Sequence, residues 1–364
     1  MKNKKKILFL IPSLFGGGSE RFTVNCANIF ANTHNVYVAY YLDKKKKYKL
    51  DSRVKLIKLE SKSAKQFFFK LFFYLQKNKD FKYIFSSIVH INSLLIIMNL
   101  FFFRKFKTIV RETNTPIGEI KYNLNFTSFF HYILRYLYMF ADKIITPSET
   151  ISYQLNKYFL IKKKKIFKIF NFTNISEIVS LSKKKNSKKN YVLNIGSITK
   201  QKNQLFLIKS FLAMKKNKKL NLLIIGNGNL KNEIKNFIRE KKIKNIYLLD
   251  AVINPFKFMK NAKLIVSTSL WEGLPNFLIE SSLINSNILS LNSISGPEEI
   301  KNKGISLKII KLNYLNQNQN IKKFSSFMSK IIEKKQNSKN IQKNIKIINQ
   351  LNDRNISKLG QLIK

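Results

Sequence analysis

The chain has 364 residues, of which 45% are hydrophobic, enough for two domains with cores of their own. Its formal net charge is +49, which favours polyanionic partners such as nucleic acid, acidic phospholipid or a phosphorylated lipid; lysine-rich coding by an A- and T-rich genome is an equally good source of that charge, so it does not choose among them. The single cysteine, Cys26, excludes a disulfide framework and a cysteine metal cluster and fits a reducing cytoplasm.

No apolar run reaches the roughly 18 residues of a membrane-spanning helix. The basic start at residues 2–6 and the apolar run Ile7–Phe15 mimic a secretory leader. That run is short, and Gly16–Arg21 follows it in place of a cleavage site, so a first parallel strand at Ile7–Ile11 is the better reading. A glycine loop, Pro12–Ser19, and a helix, Glu20–Ala31, come next. Strands are predicted at Val36–Leu42, Val54–Leu59, Tyr83–Ser86, Lys107–Arg111, Lys143–Thr146 and Ile166–Ile169. Lys44–Lys47 reads as a solvated turn. Helices are predicted at Ser63–Gln76, Ser93–Phe103 and Phe126–Phe140, the last interrupted by His131 and Arg135. These helices are rich in aromatic residues. They read either as core or as membrane-facing surface, and Ser63–Gln76 and Ser93–Lys107 are the first candidates for membrane contact because aromatic and basic residues adjoin there. Strand–helix alternation of this kind predicts an α/β, doubly wound parallel sheet.

Residues 175–190 end in a lysine-rich polar stretch and read as the linker between domains. The second domain, 191–340, repeats the alternation. Its strands are Tyr191–Ile195, Leu222–Ile225, Ile246–Leu249, Leu264–Ser267 and Ile288–Leu291, and its helices include Gln204–Lys215 and one starting near Asn276. Further helices are predicted at Asn320–Lys334 and Ile341–Lys364.

The chemistry-bearing stretch is the loop Thr268–Pro275 and the helix after it. Glu272 lies in the loop and Glu280 about one turn into the helix, so both face a helix N-terminus, where backbone amides favour an anion. Gly196–Asn203 is a basic strand-to-helix loop, and Gly226-Asn227-Gly228 is a glycine turn that is weak as a motif by itself. The dinucleotide fingerprint G-x-G-x-x-G is absent. The aspartates are isolated, so no aspartate pair is available for a metal.

Ser269, Trp271-Glu272-Gly273-Leu274-Pro275-Asn276, Glu280 and Gly296-Pro297-Glu298-Glu299 together resemble the donor-binding signature of retaining GT-B glycosyltransferases of the family 4, or group 1, type. Gly17-Gly18-Ser19-Glu20-Arg21 is similar to that family's first loop, Ala141–Ser148 to the segment closing its N-terminal sheet, and Gly196–Asn203 to its phosphate loop. Lys202 falls on the loop's lysine; Ser197 stands where the family has an arginine, and Lys200 is the residue that could compensate.

The resemblance implies two Rossmann-like domains facing across a cleft. Residues 1–174 would bind the acceptor, with a helix at about 341–364 packing back, and 191–340 would bind a nucleotide-sugar. It implies catalytic roles for Glu272 and Lys202 and donor contacts from Gly17, Gly18, Gly196, Ser197, Lys202, Gly226, Asn254, Glu272–Asn276 and Glu280. Acceptor contacts are expected from Arg21, Arg111 and Glu112. No cofactor and no metal are expected. The implied reaction moves a hexose or N-acetylhexosamine, UDP-linked, with retention to a lipid-linked oligosaccharide, lipopolysaccharide or capsule precursor. The implied place is the cytoplasmic face of the membrane, as a peripheral protein on an anionic surface. The alternatives are a related epimerase or phosphorylase and a basic nucleic-acid-binding protein; the latter explains the charge but not the glutamate pair.

Overall fold

A computed structural model describes residues 4–15, 17–42, 48–184, 190–214, 219–312 and 316–363. The predicted turn at Lys44–Lys47, Gly16 of the glycine loop, Lys215 and most of the lysine-rich stretch at 183–189 lie outside them. The chain forms two compact units, one of residues 1–120, 124–172 and 352–364 and one of 121–123 and 173–351.

In the first unit the order is β1 (Lys6–Leu10), α1 (Gly18–Phe30), β2 (Asn35–Tyr40), β3 (Lys55–Lys58), α2 (Ala64–Lys77), β4 (Phe81–Ser86), α3 (Val89–Phe101), β5 (Lys107–Arg111), α4 (Pro116–Tyr122), α5 (Phe126–Leu134), β6 (Lys143–Thr146), α6 (Glu149–Phe159) and β7 (Ile166–Lys168). The seven strands form one parallel sheet ordered β3-β2-β1-β4-β5-β6-β7. Successive residues of a strand point to opposite faces. Accordingly Ile7, Phe9 and Ile11 enter one core with α1, while Leu8 and Leu10 enter another with α2 and α3. Both faces are covered, which is why β1 reads as an unbroken apolar run.

In the second unit the order is α7 (Ile175–Ser182), β8 (Tyr191–Ile195), α8 (Gln204–Leu212), β9 (Asn221–Ile225), α9 (Lys231–Glu240), β10 (Ile246–Leu249), α10 (Phe256–Asn261), β11 (Leu264–Ser267), α11 (Asn276–Ser282), β12 (Ile288–Leu291), α12 (Pro297–Asn302), β13 (Lys308–Ile310), α13 (Gln317–Ile332) and α14 (Ser338–Leu362). Its six strands are again all parallel, ordered β10-β9-β8-β11-β12-β13. The strand order reverses between β8 and β11, and ligands of open parallel sheets bind beyond the strand ends at such a reversal.

Several elements differ from the sequence reading. The predicted helix Phe126–Phe140 is α-helical to Leu134 and then a 3-10 helix, Arg135–Phe140. Arg135 and Tyr138 both reach Glu112, and the tighter helix brings residues three apart onto one line. Residues 175–182, read as the start of a linker, form α7, capped by the Asn174 side chain and bound to Asn254 through the Leu181 carbonyl. Helix α6 is absent from the sequence reading although Ser148 caps it, its Oγ accepting from the Ile151 amide at 3.3 Å. Strand β13 is only three residues, too short for its pattern to show.

The last helix contributes its residues from Asn352 onward to the first unit. There Leu359 and Leu362 are fully buried, the Tyr83 hydroxyl donates to the Ile363 carbonyl at 2.8 Å, and Asn355 exchanges two hydrogen bonds with the Phe170 backbone.

Candidate active site

Three loops of the second unit meet at the carboxyl ends of its strands. The loop after β8 carries Gly196–Asn203, the loop after β11 carries Thr268–Pro275, and the turn after β12 carries Ser293–Gly296. Their joints are backbone bonds. The Leu270 amide donates to Gln201 O at 2.8 Å, and the Gln201 side chain returns a bond to Trp271 O at 2.9 Å. Thr268 Oγ1 donates to the carbonyls of Lys202 and Asn203. On the other side the Ile294 amide donates to Leu270 O and the Glu272 amide to Ile294 O, each at 3.1 Å, while Ser295 Oγ donates to Gly273 O. The Glu272–Pro275 turn is thus clamped from both flanks.

Glycine is required at three joints, Gly296, Gly226 and Gly228, the last because its Cβ would lie 2.1 Å from the Ile198 carbonyl oxygen. Gly296 has φ +98°, and a Cβ there would lie 2.5 Å from Pro275 Cδ. Gly226 presses on the first loop: its Cβ would lie 1.9 Å from the Gly196 carbonyl oxygen. The expected donor contact at Gly226 therefore has a packing explanation, because two strand-to-helix turns touch backbone to backbone there. The Lys202 stem lies over Gly196, with Cε 3.5 Å from where a Cβ would stand.

Inside this frame Lys202 Nζ donates to Glu272 Oε1 at 2.5 Å. The carboxylate is buried and the ammonium is the more open partner, with 8% and 24% of their side chains exposed. Glu280, on α11, is also buried. Helix α11 is short, and its Leu278 and Ile279 amides bond back to Pro275 O. Leu274 is buried beside them, and Asn276 is the first helical residue. Ser197 is exposed, and its carbonyl accepts from Gln204 Nε2. Asn254 does not share the Lys202–Glu272 contact. Its side chain donates to Leu181 O and accepts from the Phe256 amide, tying α7 and opening α10.

In the first unit Gly17 and Gly18 are exposed at the start of α1, and the Glu20 carboxylate accepts from the Gly17 amide at 3.0 Å. Arg21, next along α1, is half-buried. Arg111 and Glu112, expected to touch an acceptor, are both buried. The Arg111 guanidinium lies 4.0 Å over the Phe22 ring and donates to Asn171 Oδ1 at 2.6 Å; burial pushes it down to about 10. Glu112 has no exposed side-chain surface and receives Arg135 at 2.7 Å and the amides of Thr113 and Asn114. It holds the loop after β5 from within. Sequence reading missed the partner, Arg135, whose signal was a charge inside an aromatic helix. It also passed over Gln201, Thr268 and Ser295, which act through short hydrogen bonds that carry no pattern.

Among the described residues no three His, Cys, Asp or Glu side chains group as metal ligands, and no helix is long and apolar enough to cross a membrane.

Two doubly wound parallel sheets, the second with its loops gathered at the strand-order reversal, define the GT-B class of glycosyltransferase fold. Residues 177–356, just under half of the chain, match the family model described as Glycosyl transferases group 1. An uncharacterized glycosyltransferase of Methanocaldococcus jannaschii is 34% identical over 204 residues, which are 53% of this chain and 50% of that one. The chain thus matches half the length of that relative. A Campylobacter jejuni N-acetylgalactosamine-N,N'-diacetylbacillosaminyl-diphospho-undecaprenol 4-alpha-N-acetylgalactosaminyltransferase is 26% identical over 309 residues, 81% of this chain and 83% of that one. Among solved structures, Anabaena HepE in complex with UDP and glucose superposes with a TM-score of 0.71 at 15% identity, covering 99% of this chain and 98% of that one. At that identity the likeness is one of fold.

Proposed function

We propose that the chain transfers a hexose or N-acetylhexosamine from a UDP-sugar, with retention and without a metal, to a lipid-linked glycan precursor. The observation that carries this reading is the Lys202–Glu272 pair in its clamped frame, with Glu280 buried on the following helix. A sugar diphosphate needs compensation for the charge that develops as it leaves. Preorganised cations in a fixed frame supply this better than mobile solvent. Lys202 is the open member of its pair, so an incoming diphosphate competes with Glu272 for the ammonium. Glu272 then faces the sugar, orienting its hydroxyls or stabilising positive charge on the ring, and Glu280 takes the ribose hydroxyls. The departing diphosphate accepts the acceptor's proton on the face where attack occurs. The C. jejuni relative, named for transfer to a diphospho-undecaprenol glycan, supports the acceptor class. The HepE complex with UDP and glucose supports the donor class.

The test is turnover of a panel of UDP-hexoses and UDP-N-acetylhexosamines with an undecaprenyl-diphosphate-linked sugar, with the product's anomeric configuration read by NMR. Retention and indifference to EDTA are expected. Failure of the wild-type protein to bind any nucleotide-sugar, or unchanged binding in Glu280→Ala, sinks the reading. Epimerisation of the donor without an acceptor would support the epimerase instead.

A further inference from the structure

Helix α5 and its 3-10 extension are built inside out. Three of their polar residues face the protein: Ser128 and Arg135 are buried, Arg135 pairs with Glu112 and Glu119, and His131 meets Glu119 at 3.5 Å. Most of their large apolar residues face outward, while Tyr132, Leu137 and Tyr138 pack inward. Phe126 is 83% exposed, Phe129 52%, Phe130 48% and Ile133 47%, and Tyr136, Met139 and Phe140 continue the stripe. The spacing is that of one helical face. An ordinary surface helix turns this face to the core, so water is left against a contiguous aromatic surface.

The stripe does not stand alone. Helix α3 packs beside α5, and its carboxyl end adds exposed Phe101 and Phe103. Arg104 there donates to Phe140 O, and Lys165 donates to Met139 O at 2.7 Å, which places the basic run Lys162–Lys165 at the border of the stripe. Residues 89–165 hold twelve Lys and Arg against four Asp and Glu. All four acids are engaged by cations: Glu112 and Glu119 by Arg135, Asp142 by Lys107 and Glu149 by Lys168. The charge around the stripe is therefore overwhelmingly positive.

Exposed aromatics ringed by cations match one surface in particular, the headgroup layer of an anionic bilayer. We propose that the α5 stripe, with the end of α3 and the Lys162–Lys165 border, is the membrane-docking surface of this protein. Of the two stretches that the sequence put forward, the end of Ser93–Lys107 joins this surface and α2 does not. That helix buries Phe67, Leu71 and Leu75 in the usual way and leaves Phe69 and Phe73 outside. The inference goes beyond the transfer reaction and does not depend on it.

The experiment is flotation of the full chain with phosphatidylcholine vesicles, with and without phosphatidylglycerol. Wild type is expected to float with the anionic vesicles, less so as salt rises. The triple variant Phe126→Ser, Phe130→Ser and Ile133→Ser is expected to lose at least about tenfold in vesicle affinity, since three apolar anchors leave the interface, with its melting temperature and UDP-sugar affinity unchanged. Should that variant melt early, Phe130→Trp is the second reading: its emission shifts to the blue on anionic vesicles against the fixed signal of Trp271. Flotation of the triple variant equal to wild type, no flotation of wild type, or a Phe130→Trp signal indifferent to vesicles would overturn the proposal. So would a wild-type dimer abolished by the triple variant without vesicle binding, which would assign the stripe to a second copy. None of these outcomes touches donor binding, so the transfer reading stands or falls separately.

Discussion

Lys202 and Glu272 hold each other at 2.5 Å across two loops, and each has a different consequence when removed. On the proposed reading, replacing Lys202 with alanine takes a cation from the leaving diphosphate. Turnover is expected to fall by about a hundredfold to a thousandfold, the range seen when one preorganised charge-stabilising group is lost, with donor affinity falling less. Glu280→Ala should instead raise the donor KM with a smaller change in kcat; steady-state kinetics with a UDP-sugar separate the two. A Lys202→Ala enzyme that kept most of its kcat would displace the diphosphate from this loop. Glu112 is the buried partner of Arg135, and its removal should be read in stability. Burial alone would pull the Arg135 guanidinium down, but Glu112 and then Glu119 hold it well above its ordinary value. Glu112→Ala leaves that buried cation short of a partner and is expected to cost about 3–5 kcal/mol, read by denaturant unfolding. The family resemblance put Glu112 forward as an acceptor contact. Its burial follows from Arg135, 23 residues away, and no local pattern announces that pairing.

Among the elements, strands were the most legible. Lys107–Arg111, Lys143–Thr146, Tyr191–Ile195, Ile246–Leu249, Leu264–Ser267 and Ile288–Leu291 stand where their apolar runs place them. Burial on both faces forces such runs. Helix α5 was legible as a helix but not in its orientation. Periodicity shows which residues share a face, whereas the covered face depends on what lies opposite, here the carboxylates of Glu112 and Glu119. The end of α14 is also a matter of context. Leu359, Leu362 and Ile363 fill the core of the first unit, so deleting residues from Asn352 onward is expected to lower stability by more than about 4 kcal/mol, beyond a single large core truncation. A lowered melting temperature with the second unit's donor affinity retained is the result to look for.

For the whole molecule, stability should depend on acid in two stages. Burial, then repulsion from His131, holds His90 below its ordinary 6.5. Burial tends to raise Glu119, but His131 and Arg135 outweigh it and hold the carboxyl below its ordinary 4.5. In both cases the folded state binds its proton less readily than the unfolded chain. Both contributions are therefore complete at neutral pH; the first is lost as pH falls below about 6.5 and the second below about 4.5. Melting temperature should fall in these two steps as the pH is lowered, and His90→Gln should reduce the first, to which His34, also held below 6.5 by burial and then by Lys5 and Lys4, contributes as well.

By itself the sequence determined the class of fold and the centre of the candidate site. Unbroken apolar strands separated by helical periods lead to parallel, twice-covered sheets, and Glu272-Gly273-Leu274-Pro275 with Glu280 marks the loop and helix at one strand end. Both signals are local, carried by neighbours in the chain. The tertiary structure alone decided which charges stay open and which are closed in, leaving Lys202 partly open and Arg111 and Glu112 inside. It also decided that α5 turns its aromatic face to solvent. Those outcomes rest on burial, and burial is set by groups that meet only after distant segments have packed.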